Sequence, residues 1–112
     1  MSGQDLMQDL QNKLQLLDRA INSLAKNGRL FAEAEMEYKI ALADFMLQKR
    51  TEGMPVTILG DIARGDRKIA KLRFERDTAE AVYQANQEAI QAWKLQIRIT
   101  ENQIDREWGR RE

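Results

Sequence analysis

The chain has 112 residues, with 18 Lys plus Arg against 18 Asp plus Glu, and neither histidine nor cysteine. Its length suits one domain. Balanced charge gives no global field toward DNA or anionic lipid, and the missing residue types exclude disulfides, thiolate catalysis and the usual zinc or imidazole chemistry.

Gln, Ala, Leu, Glu, Arg and Lys dominate over one proline and six glycines, the composition of long helices rather than of a β fold. The opening MSGQDLMQDLQNK lacks the cationic and apolar stretches of a signal peptide. No apolar run approaches the ~20 residues that span a bilayer. A soluble, cytoplasmic protein with no membrane partner is expected.

The first predicted element is a helical arm over about residues 4–51. Met7, Leu10, Leu14, Leu17, Ile21, Leu24, Gly28, Phe31, Glu35, Tyr38, Leu42 and Phe45 recur in steps of three and four, a heptad seam interrupted at Gly28 and Glu35. Asn27-Gly28 has the chemistry of a helix C-cap, yet the seam runs through it in phase, so one continuous helix is expected.

A tip follows over about residues 52–65. Pro55 forces an extended entry, and Thr57 is the expected N-cap of a short helix over 58–64. Gly65 stands where a C-cap glycine belongs. Asp66 stands where the N-cap of the next helix belongs, with Arg67 as that helix's first residue. The tripeptide Arg64-Gly65-Asp66, which integrins read on exposed extracellular loops, thus has a local structural role at every position. A helix-turn-helix DNA reader is disfavoured, because Ala63 and the turn glycine Gly65 are too close together and no compact third helix is on offer.

The second arm covers about residues 66–108, with a seam of Leu72, Arg76, Ala79, Tyr83, Asn86, Ile90, Trp93, Ile97, Thr100 and Ile104. The fold class expected is all-α, a long antiparallel helical hairpin with a short helix at its tip, in one domain spanning residues 1–112. Facing positions should sum to about 114, which sets Leu10 against Ile104, Leu17 against Ile97, Leu24 against Ile90 and Gly28 against Asn86. Glu35 falls near Arg76, where the two either pair or reach water separately.

Each arm also carries a second apolar row opposite its seam. Met36, Ile40, Ala43 and Leu47 form one; Phe74, Ala81, Ala85, Ala92, Leu95 and Ile99, with Glu88 among them, form the other. A helix apolar on two faces is normally sandwiched. Ile58, Leu59 and Ile62 are expected to lie across Met36–Leu47. The alanine-rich row points to self-association, a dimer forming a multi-helix bundle. The protein-interface residues are therefore Met36, Ile40, Leu47, Phe74, Ala81, Ala85, Ala92, Leu95 and Ile99.

Between residues 61 and 77 six cations stand against four acids. Arg64, Arg67, Lys68 and Lys71, approached by Lys49 and Arg50, form a basic tip suited to nucleic acid or an acidic partner. Glu33 and Glu37 share a face, but two carboxylates alone are a weak metal site, while Glu35 and Lys39 make an ordinary supporting pair. There is no phosphate loop, dinucleotide turn or nucleophile elbow. No catalytic, cofactor-binding or metal residues are expected, and no cofactor.

The segments AEAEMEYKIALADFMLQKR (32–50), MPVTILGDIARGD (54–66) and LRFERDTAEAVYQANQEAIQAWKLQIRITENQIDREW (72–108) resemble small helical proteins of uncharacterised role encoded by phages and prophages of Gram-positive bacteria. The resemblance implies a viral accessory protein, from the early replication and recombination region, acting in the host cytoplasm. It supplies no functional residues. The leading expectation is a non-enzymatic, oligomeric helical interaction protein with an unidentified protein partner. The alternatives are a nucleic-acid-binding accessory of replication or recombination using the basic tip, and a virion structural or scaffolding component.

Overall fold

A computed structural model describes residues 2–109. It is an all-α helical hairpin of three helices, α1 (Gly3–Thr51), α2 (Val56–Gly65) and α3 (Arg67–Gly109), without a strand among the described residues. α1 starts from a Ser2 cap, whose hydroxyl accepts the Asp5 N–H at 3.2 Å. It continues through Asn27-Gly28 without a break.

α1 ends at a glycine that the sequence did not single out. Gly53 has φ 94°, the only positive φ among the described residues. The Gly53 N–H donates to the Arg50 carbonyl and the Met54 N–H to the Lys49 carbonyl, both at 3.0 Å, the paired bonds of a Schellman cap. Lys49 and Arg50 complete this end: the Lys49 ammonium lies 3.4 Å from Glu52 and 5.6 Å from the Phe45 ring centroid, and the Arg50 guanidinium donates to the Met54 carbonyl at 2.9 Å. Both cations also sit where the helix dipole favours them.

Two tip expectations are corrected. Thr57 lies inside α2 instead of capping it, because the extended conformation of Pro55 (ψ 141°) already supplies the cap position, with no side-chain bond. Gly65 is the last residue of α2 rather than a left-handed cap; the turn is made by Asp66 in extended conformation. Asp66 does cap α3, its carboxylate accepting the Ile69 N–H at 3.1 Å.

Contacts divide the chain into two units, residues 1–26 with 84–112, and residues 27–83. In the first, α3 turns Asn86, Ile90, Ile97 and Thr100 fully inward and half-buries Trp93 and Ile104, as its heptad requires. The facing stretch of α1 is phased differently from its most apolar reading. Leu6, Leu10, Lys13, Leu17, Ala20 and Leu24 are buried or half-buried, whereas Met7, Leu14 and Ile21 are 41, 43 and 45% exposed.

Polar contacts account for that phase. The Lys13 ammonium donates to Asp9 and to the fully buried Thr100 hydroxyl, both at 2.8 Å. The Asn86 amide donates to the Ala20 carbonyl at 2.8 Å. Asn86 therefore lies by Ala20, and Gly28 instead admits Tyr83: a Cβ on Gly28 would stand 3.1 Å from Tyr83 Cε1.

In the second unit the Tyr83 ring packs tilted against Phe31, with ring centroids 6.2 Å apart. The Arg76 guanidinium lies 4.6 Å from the Tyr38 ring centroid. Leu59, Ala63 and Ile69 form the buried centre of this unit. Phe31–Tyr83 and Tyr38–Arg76 keep the expected register sum of 114.

Candidate interaction surfaces

Helical spacing leaves one stripe of each helix for the seam and turns the opposite stripe outward. In the first unit that outward stripe on α3 is Ala85, Glu88, Ala92, Leu95 and Ile99, all exposed, with Leu95 at 53% and Ile99 at 43%. Steps of three and four run through it without a skip, so it is a second heptad row on a helix whose first row is already used. Met7, Leu14 and Ile21 add an exposed row on α1 of the same unit. That row was missed because those apolar residues were read as the seam; its signal was the alternative row containing Lys13, whose long stem and single charge suit a half-buried position.

In the second unit Met36, Ile40 and Leu47 are 55, 56 and 69% exposed, Phe74 is 70% exposed, and Ala81 is exposed too. The expectation that α2 covers Met36–Leu47 is corrected. α2 turns Leu59 and Ala63 inward and leaves Ile58 and Ile62 exposed. Ile62 borders a groove with Phe45, Lys49 and Asp66, on the seam side of α1.

The predicted basic residues do not act as one set. Arg64 stands 3.8 Å from Asp61, and Lys49 and Arg50 are engaged at the end of α1. Arg67, Lys68 and Lys71 are exposed at the start of α3, whose first turn holds no acid. A groove of about 360 Å³ beside them mixes Asp44 and Asp66 with Lys49 and Lys68, so its charge is balanced.

Glu35 and Arg76 do not pair directly. Glu35 contacts Lys39 at 3.6 Å, the supporting pair expected from spacing. Arg76 bonds Asp77 at 2.7 Å, and that hydrogen bond, ahead of nearby charge, holds the guanidinium above its ordinary value. Among the described residues no cluster of three or more acidic side chains gathers that could hold a metal ion, and no helix is long and apolar enough to cross a membrane.

No protein-family model, curated protein or solved structure matches this chain.

Proposed function

We propose that this chain is a non-enzymatic, self-associating helical interaction protein that works through the outer faces of its hairpin. One observation carries the reading: sixteen large apolar side chains are exposed among the described residues, against six buried hydrophobic ones. Many of the exposed ones recur at heptad spacing, the pattern that another helix fits and that scattered surface residues lack.

Partners are a second copy of this chain and, through the remaining faces, a helical protein partner. The resemblance of its three segments to phage-encoded helical proteins supports placing it among viral accessory proteins of the host cytoplasm.

The experiment is light scattering on Leu95→Asp and Ile40→Asp. A carboxylate forced into an apolar interface costs several kcal/mol, on the order of 3–5 when it has no partner. At least one variant should fall to the 13.0 kDa monomer with its helical circular dichroism retained. Variants that all keep the wild-type mass contradict the reading.

A second reading is favoured by one observation. Arg67, Lys68 and Lys71 are exposed together at the start of α3, and the one acid at that helix end, Asp66, is engaged in capping the Ile69 N–H. Binding of nucleic-acid phosphate would use this charge. A mobility shift with single- or double-stranded DNA at low salt, weakened by Lys68→Ala and by added salt, supports it; no shift at micromolar protein removes it.

A further inference from the structure

Resting on the self-association proposed above, we infer that the outer row of α3 in the first unit docks on the same row of a second copy, with the two helices antiparallel. The two-fold axis crosses the outer row midway between Glu88 and Ala92. All five row positions, Ala85, Glu88, Ala92, Leu95 and Ile99, are exposed, and their unbroken three-four spacing is that of a coiled-coil seam.

Side-chain size and charge select the orientation. Antiparallel about that axis, Ala85 meets Leu95 of the second copy and Glu88 meets Ala92 of the second copy. Each layer then sets a small side chain against a large one, so its volume is filled without overpacking. The Glu88 carboxylate passes over a methyl group and reaches water. A parallel pairing does the opposite. It places Ala85 on Ala85 and Ala92 on Ala92, leaving voids, and it brings two Glu88 carboxylates together inside the seam. Sliding the antiparallel pair by one heptad puts Glu88 under Ile99. Of these three arrangements only the first avoids both a void and a trapped charge.

The contact is isologous, so it closes at two copies rather than growing into a filament.

The chain contains no cysteine, so introduced thiols report without background. Ala85→Cys and Leu95→Cys proteins are made separately, one carrying a size tag, then mixed, exchanged and oxidised. The expected result is a covalent heterodimer in the mixture, a shift from the separate chains to the summed mass of the tagged and untagged ones that reductant reverses, with Ala85→Cys unlinked on its own. Self-linkage of Ala85→Cys indicates a parallel pairing and overturns the inference. No linkage in the mixture, while light scattering still shows an oligomer, overturns this face and leaves the broader reading standing. A monomeric mass for the untagged wild type overturns both.

Discussion

The side-chain amide of Asn86 donates a hydrogen bond to the backbone carbonyl of Ala20, 66 residues away, across 2.8 Å. Asn86 is only 8% exposed, so a different pairing of the two helices would strand a buried amide. A helical carbonyl has a second lone pair free for such a bond, and Ala20 is small enough to let the amide reach it. Register in the first unit is thus set by a polar contact, at some expense in stability.

Replacing Asn86 therefore separates specificity from stability. Asn86→Ala loses the bond and opens space, and should destabilise by about 1–3 kcal/mol. Asn86→Leu fills the space with apolar bulk and should stay within about 1 kcal/mol of the wild type, or exceed it. Urea unfolding measures both. An Asn86→Ala protein as stable as wild type would show that the bond contributes nothing.

Lys13 and Thr100 form the second such contact. Thr100 is fully buried, and the Lys13 side chain retains only 19% of its exposure. A double-mutant cycle with Lys13→Met and Thr100→Val should give a coupling of about 1 kcal/mol, because a charge-assisted bond at a shielded site is partly protected from water. Additive effects of the two changes would mean that Lys13 is held by Asp9 alone.

Gly53, not Gly65, should carry the left-handed cap that the sequence pattern assigns to Gly65. Gly53 has φ 94°, which an L side chain rarely adopts, so Gly53→Ala is strained. It should cost about 1 kcal/mol. Gly65 has ordinary helical backbone and nothing within 4 Å of a Cβ. Gly65→Ala should stabilise by up to about 1 kcal/mol through a less flexible unfolded chain. Thermal melts of the two variants moving in the same direction would contradict this assignment.

Much of the fold was legible because it depends on periodicity. The α3 seam from Leu72 to Ile104, the continuity of α1 past Gly28 and the Asp66 cap all follow from spacing and local chemistry. What spacing leaves undecided is which of two adjacent rows on α1 turns inward. Met7, Leu14 and Ile21 are the more apolar choice, but Lys13 and Ala20 go inward because Thr100 and Asn86 on the other helix need partners there. That is information held by two distant segments together, invisible to a reading of either one. The tip was misread for a related reason. Gly53 and Gly65 have the same local composition signal, and only the hydrogen bonds of Met54 and Asp66 distinguish a left-handed cap from a helical end.

The candidate surfaces were legible as rows but not as free faces. Phe74, Leu95 and Ile99 were recognisable by their steps along the helix, and they remain exposed. Coverage of Met36–Leu47 by α2 was a matter of how a ten-residue helix rolls, and α2 rolls Leu59 and Ala63 inward instead.

Sedimentation equilibrium of the wild-type chain, over a concentration series from micromolar upward, decides whether the exposed rows join copies of the chain. A self-associating chain gives a mass of at least twice 13.0 kDa that falls only on dilution. A constant 13.0 kDa at every concentration would contradict self-association.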